Sequence, residues 1–552
     1  MSFCLDRNAF TFTNYNLNVQ IEPAQQRIGV RGKIVLRNDS TVQQKNAALQ
    51  ISSSLDWRSI QIDDKPVQFV SQPYTSDIDH TGSLSEAIVS LPREIPAKGT
   101  IALEIGYEGK IVLDATRLTR IGVPEDRATH SDWDQIGREF TAVRGIGYVA
   151  WYPVAAEAAN LSEGESAFDT VGRWKQREVG AEMRINLQVS SASAGPGMIS
   201  IQNAETCNLD GWPANTAGSD SGCTYSRLDQ VVPAFLVGPY STLSSSSATL
   251  AFFDDHKTAA QNWSDAANQV LPLVKDWFGT PQRPVQVVEL ADAAAAPFEA
   301  GRLVVAPVGR DLKLAQTLLV HQLTHAALSS DRPWIREGLA HFAQALWREQ
   351  QNGRSAALDY LGLHRTALAD AERVASSERG SARSLISTGD EELYRSKAMF
   401  VWWMLRDMVG DAALRKAVAA YRAPDDRQPS YIQHLIETQS HRDLEWFFDD
   451  WIYRDRGLPD FRIVSVYPRQ MLNEAYLVTV SVENLGAAGA EVPVTARSGN
   501  REASQRLEVR GKATATVRIE LPGSPDEVIV NDGSVPESDL NNNSFNVPKP
   551  AR

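Results

Sequence analysis

Only three cysteines and nine histidines occur among 552 residues, and acidic residues outnumber basic ones, 68 to 55. There is no run of 18 or more apolar residues, so no helix is expected to span a membrane. The formal net charge of −13 argues against a nucleic-acid partner, because phosphate binding needs a basic surface. The N-terminus, "MSFCLDRNAF", lacks the apolar stretch of a signal peptide as it stands, and a Met set just ahead of a folded segment leaves export open. No internal repeat and no low-complexity tract is visible. What remains is ordinary globular protein, 43 % hydrophobic and 22 % charged, long enough to ask for two to four domains.

Cys207 and Cys223 flank "NLDGWPANTAGSDSG", a polar loop rich in Gly, Asn and Ser. A disulfide closing it would remove loop entropy worth roughly 3 kcal/mol, the alternative being two free thiols. If it forms, the compartment is oxidising and the protein periplasmic or secreted; a cytoplasmic protein would keep both thiols reduced. Cys4 has no evident partner.

From residue 12 to about 245 the apolar residues alternate, as in "YNLNVQIEP", "IGVRGKIVLRN" and "TIALEIGYEGKIVL", which predicts a half-buried antiparallel sheet. "DDK" at 63–65 suits a turn between two such runs. Near residue 257 the pattern turns helical: "TAAQNWSDAANQVLPLVKDWFG" closes on Gly279, and "PVQVVELAD" follows as a strand. Helical runs are then expected over 311–329, 334–350, 354–375, 391–409, 411–421 and 441–454. After "GLPDF" at 457–461 the short alternating runs of a β-sandwich return, and the tail "SDLNNNSFNVPKPAR" reads as polar and loosely held. The expected architecture is multidomain α+β: an N-terminal β domain at 1–245, a mostly helical domain at 246–457 and a C-terminal β-sandwich at 458–552.

His321 and His325 lie four apart in "LLVHQLTHAAL", so one helix face can offer both rings to one ion. With nine histidines in 552 residues such spacing is expected by chance roughly 0.13 times, so alone it is weak. The next segment adds a third donor. After "SSDRP", where Pro333 suits a helix start, "WIREGLAHFAQALW" carries Glu337 on a second helix. Two imidazoles and one carboxylate with a fourth position open are the ligand set of a catalytic zinc, one per chain.

"HQLTH…WIREGLAHF" resembles the H-E-x-x-H…W-x-x-E-G-[FL]-A signature of the gluzincins, most closely the M1 aminopeptidases. The strand-rich N-terminus ending in "GIGYVAWYPV" resembles the M1 saddle domain, and "WFFDDWIYRDRGLPDF" resembles the segment that leaves the thermolysin-like domain for a C-terminal β module. Too few residues remain for the family's large helical C-terminal domain. The resemblance implies a zinc peptidase whose partners are peptides or glycopeptides; it leaves the oligomeric state open. It also implies two further site residues. Glu299, in "AAPFEAGRLVVAP", stands 22 residues before His321, about where the family's G-x-M-E-N strand holds the substrate's α-amino group. Tyr394, in "LYRSKAMFVWWML", matches the oxyanion-binding Tyr of Y-x-K-G-A, with one extra residue before Lys-Ala and with Glu392, Arg395 and Lys397 as a polar setting. Two further departures from the family bear on the substrate. Only eleven residues separate His325 from Glu337, and the second amine-binding acid should fall near Val143 or Arg144, neither acidic. Both departures fit an endo- or O-glycopeptidase on the same scaffold as an alternative to an aminopeptidase.

The family's catalytic Glu is here Gln322. An amide keeps the shape of the carboxylate and can hydrogen-bond water, but it cannot take up a proton, so metal and substrate binding should survive while turnover collapses. Either the chain is a peptide-binding protein retired from catalysis, or Gln322 was put into a working enzyme. Retention of His321, His325, Glu337, Glu299 and Tyr394 favours the second.

Overall fold

A computed structural model describes residues 5–190, 198–207, 215–216, 220–309, 311–377, 384–471 and 475–548. The chain divides into two compact units: Met1–Gln269 with Arg283–Gln322, and Val270–Gln282 with Leu323–Arg552. The expected boundary at 245/246 falls inside the first unit and that at 457/458 inside the second.

The first unit is built on an eight-stranded sheet in which Phe10–Glu22, Arg27–Asn38, Thr100–Lys110 and Leu55–Ile62 are antiparallel neighbours. The alternation seen in sequence is real here: Leu17, Val19 and Ile21 are buried while their neighbours face outward. Asp63 and Asp64 form the expected turn, both at positive φ (51° and 59°), with Ile62 paired to Lys65 across it. That is the geometry of a two-residue hairpin loop. One pairing departs from the antiparallel expectation. Phe10–Glu22 runs parallel to Glu182–Val189, Asn14 opposite Glu182. The reason is that a chain excursion of more than 150 residues separates the two strands, so no hairpin fixes their sense. The segment "YVAWYP" is buried beneath this sheet, where the hydroxyls of Tyr15 and Tyr107 donate to the carbonyls of Pro153 and Trp151 (both 3.0 Å).

Cys207 and Cys223 face each other in register across two antiparallel strands and are joined by a disulfide. The loop they flank lies mostly outside the described residues, as does Cys4. Beside two smaller sheets the unit has a five-stranded one: Ala248–Phe252, Val285–Glu289 and Leu303–Ala306 run parallel, with Ser241–Ser244 and Phe298–Ala300 as antiparallel edges. The parallel strands are buried along their whole length, as strands covered on both faces must be.

Two helices pass from one unit to the other: α1 (Lys257–Phe278), stopped by Gly279 at φ 96°, and α2 (Leu312–Ala327). In the second unit α3 (Pro333–Asn352) opens with Pro at its first turn. The run at 354–375 is two helices, Arg354–Leu363 and Arg365–Ser377. The run at 391–409 is continuous but opens into a π-turn at Leu393–Lys397 before α4 (Ala398–Val409). A helix at Tyr431–Ser440 lies outside the expected runs, although Ile432 and Ile436 bury one face at helical spacing. No helix among the described residues is long and apolar enough to cross a membrane.

The C-terminal segment forms two antiparallel sheets. Phe461–Gln470, Ala475–Asn484 and Thr514–Pro522 make one; Arg501–Val509, Ala490–Ser498, Glu527–Val530 and Ser544–Asn546 make the other. Val478, Val480, Val482 and Leu521 of the first and Val492, Val494, Val528 and Val530 of the second are fully buried. The tail is not loose where it is described. Ser544–Asn546 pairs with Glu527–Val530, and the Asn543 amide donates to the buried Glu537 (2.7 Å). Polar side chains hold it where apolar ones would ordinarily be expected.

Candidate functional site

Helix α2 carries His321, Gln322 and His325, the two histidines one turn apart. Asp311 starts it by accepting the Lys313 N–H (3.0 Å), and Leu319, Val320 and Leu323 are fully buried. The division between the two units runs through this helix, after Gln322.

In the first unit, His321 and Gln322 meet Glu299. Glu299 sits on the edge strand Phe298–Ala300, which pairs with Leu303–Ala306. The Gln322 amide nitrogen donates to Glu299 Oε2 (2.7 Å), and His321 Nε2 lies 3.4 Å from the same oxygen. Gln322 is almost wholly buried, and its Oε1 has no hydrogen-bond partner among the described residues. The edge strand is propped by an aromatic group. The Arg144 guanidinium lies 3.5 Å from the ring centre of Tyr148 and 3.9 Å from that of Trp133, and both rings meet Phe298 edge-on. Arg144 is itself locked to Asp134 (2.6 Å) and buried. Where the family's second amine-binding acid is expected, the chain therefore has a fully engaged cation. Trp133 and Tyr148 carry no sequence signal for this role.

In the second unit, His325 Nε2 lies 3.5 Å from Glu337 Oε2. Arg336 (3.2 Å) and Arg395 (3.8 Å) flank the same carboxylate. Burial alone would raise the Glu337 carboxyl, but His325 and the two guanidiniums override it and hold it well below the usual carboxylate range. His341, one turn further along α3, brings a ring nitrogen within 4.8 Å of a Glu337 oxygen, in a group of side chains able to hold a metal ion. It stands outside the ligand set expected from sequence, although its four-residue spacing from Glu337 is a usable signal. Two residues of "WIREG" dock this helix. Trp334 stacks on Trp402 of α4 (ring centroids 5.2 Å apart), and a Cβ at Gly338 would come within 2.6 Å of the Ala398 Cβ.

Tyr394 is buried and donates its hydroxyl to Glu391 (3.0 Å), one helical turn back. Arg395 bridges Glu391 (3.3 Å) and Glu337. Burial and the facing Glu391 carboxylate push the Tyr394 phenol well above its ordinary value, so it keeps its proton, and can donate, at neutral pH. The polar setting differs from expectation in two members. The acid bonded to the hydroxyl is Glu391, not Glu392, and Lys397 turns away to Glu372 and Asp455.

The donor chemistry fits zinc: imidazole nitrogens and a carboxylate held ionised, beside a buried amide oxygen that makes no bond to the described residues. No protein-family model matches the sequence, and no curated protein matches it. Solved structures do match. An M1 zinc metallopeptidase from Deinococcus radiodurans is 15 % identical over 78 % of this chain and 91 % of its own (TM-score 0.47). A mutant M1 zinc metallopeptidase from the same organism, bound to a Tyr-Ser-Ala substrate, is 16 % identical over 82 % of this chain and 96 % of its own (TM-score 0.46). Aminopeptidase A of Legionella pneumophila, in complex with aspartic acid, is 12 % identical over 97 % of this chain and 60 % of its own (TM-score 0.58). At that identity the Legionella likeness is one of fold alone.

Proposed function

We propose that this chain is a zinc metallopeptidase of M1 aminopeptidase type, present here in a form whose general base is replaced by Gln322. His321 Nε2, His325 Nε2 and Glu337 would hold the ion, and the three-domain division at 245/246 and 457/458 belongs to the same reading. The observation that carries it is the 3.5 Å approach of Glu337 to His325, one turn from His321 on α2. When bound, zinc supplies Lewis-acid polarisation of water and of the scissile carbonyl. Tyr394 Oη would donate to the oxygen of that carbonyl as charge builds on it. Glu299 would accept from the substrate's α-ammonium group, and Gln322 would orient water without being able to hold its proton. The Cys207–Cys223 disulfide supports an oxidising compartment, periplasmic or secreted.

Full-length protein purified without chelator is expected to carry about one zinc per chain, and Glu337→Ala well under one, by atomic emission. A parent chain that folds normally and carries no zinc defeats the reading.

An endo- or O-glycopeptidase on the same scaffold is the second reading, favoured by the engaged Arg144 where a second amine-binding acid would stand. Peptide N-acetylation separates the two. If Glu299 binds a free ammonium, acetylated peptides should bind weaker by about 1.5–3 kcal/mol, roughly ten- to a hundredfold in Kd. Equal affinity for both removes the aminopeptidase and leaves the endopeptidase.

A further inference from the structure

The helix that carries "LYRSKAM" opens into a π-turn at Leu393–Lys397. A π-turn is one residue inserted into a helix, and each residue turns the chain by roughly 100°, so where the insertion sits decides which side chains share a face. Every polar residue of this turn is tied differently. Tyr394 reaches Glu391, Arg395 reaches Glu391 and Glu337, and the Ser396 hydroxyl meets His364 Nδ1 at 2.9 Å. Lys397, the last residue of the turn, is fully buried, and its ammonium donates to both Glu372 and Asp455.

This lysine is expensive by position. A buried ion group seldom adds stability over well-packed apolar residues, and its best-attested use is to fix register. The surroundings fit that use. Asp455 is held at φ 45°, a left-handed conformation uncommon outside glycine, and its carboxylate also accepts the Gly457 N–H (3.2 Å). Trp451, whose ring centre lies 5.4 Å from the Lys397 ammonium, belongs to a second π-turn, Asp449–Tyr453. Lys397 thus joins two irregular turns and the helix Arg365–Ser377, which carries Glu372.

We propose that Lys397 is a positioning residue: tied to Glu372 and Asp455, it fixes the register of the π-turn and so holds the Tyr394 hydroxyl in place beside Arg395, which reaches Glu337 on α3. The link to chemistry rests on the role of Tyr394 proposed above. Lys397→Met would leave two buried carboxylates without their cation and endanger folding, so the test uses Glu372→Gln, which keeps the Lys397–Asp455 pair.

In full-length chain carrying Gln322→Glu, Glu372→Gln is expected to lower kcat on an aminoacyl-amide about tenfold with KM within about twofold. In a chain that also carries Tyr394→Phe, it should lower kcat no further, since the hydroxyl being positioned is gone. Equal losses with and without Tyr394→Phe would mean a generally weakened fold and would overturn the proposal. A second measurement needs no turnover. Hydrogen exchange at 393–397 should quicken at least tenfold in Glu372→Gln while α3 exchanges as before. Unchanged exchange at 393–397 overturns the proposal even if Gln322→Glu proves inert, whereas quickened exchange in an inert chain keeps the register pin and removes only the peptidase reading.

Discussion

Gln322→Glu is expected to raise kcat by roughly 10²–10⁴, the usual contribution of a general base, and to leave KM within a few-fold. Residue 322 lies on α2 directly after His321, buried, with its side-chain oxygen making no bond to the described residues. A carboxylate there keeps the volume and the direction and adds the one thing the amide lacks, a site for a proton. The Gln322 amide also donates to Glu299 at 2.7 Å, so it competes with a substrate ammonium for the same oxygen. Removing that donor should widen the preference for free over acetylated N-termini. A panel of aminoacyl-amides, free peptides and N-blocked glycopeptides covers each enzymatic reading. If the variant folds, holds zinc and cleaves nothing in the panel, the chain is a peptide-binding protein that does no chemistry.

The second large effect is on folding. Trp402→Ala should destabilise the helical region by about 3–5 kcal/mol, the range for emptying a buried tryptophan site. Trp402 is fully buried, stacks on Trp334 and donates its indole N–H to the Trp334 carbonyl (3.3 Å). Gly338→Ala at the same contact should cost about 1–3 kcal/mol despite the roughly 1 kcal/mol that alanine gains over glycine in a helix, because the new Cβ meets Ala398 and the Trp402 ring. Urea titration followed by far-ultraviolet circular dichroism measures both. A Gly338→Ala chain as stable as the parent would mean that α3 can draw back from α4 without loss.

The W-x-x-E-G pattern was therefore legible as a motif but not as a mechanism. The sequence shows that Trp334, Glu337 and Gly338 share a helix; it does not show that two of them exist to dock it. Most local order was readable, the helix at Tyr431–Ser440 excepted. Alternation marked the outer strands, Gly279 marked a helix end at φ 96°, and the four-residue step placed His321 and His325 on one face of α2. What was not readable depends on partners far along the chain. Lys397 finds Glu372 and Asp455 at separations of 25 and 58 residues, and nothing in "YRSKAM" says so. The replacement of Glu392 by Glu391 beside Tyr394 is a smaller miss with a local cause: on a helix the reachable neighbour is three residues back, not two. The parallel pairing of Phe10–Glu22 with Glu182–Val189 is of the distant kind, since strand sense is set by topology and not by alternation.

The stacked indoles of Trp334 and Trp402 also make the seating of α3 visible to light. Their rings lie 5.2 Å apart and within 14° of parallel, close enough for the excited states of the two chromophores to couple. Such coupling exists only while both rings are held in fixed relation. A near-ultraviolet spectrum, or emission compared between the parent and Trp402→Phe, should therefore lose this contribution when α3 lifts away, even with the strands at either end of the chain still folded. Since α3 carries Glu337 one turn beyond Trp334, the chain has its own optical gauge of whether that carboxylate is in place.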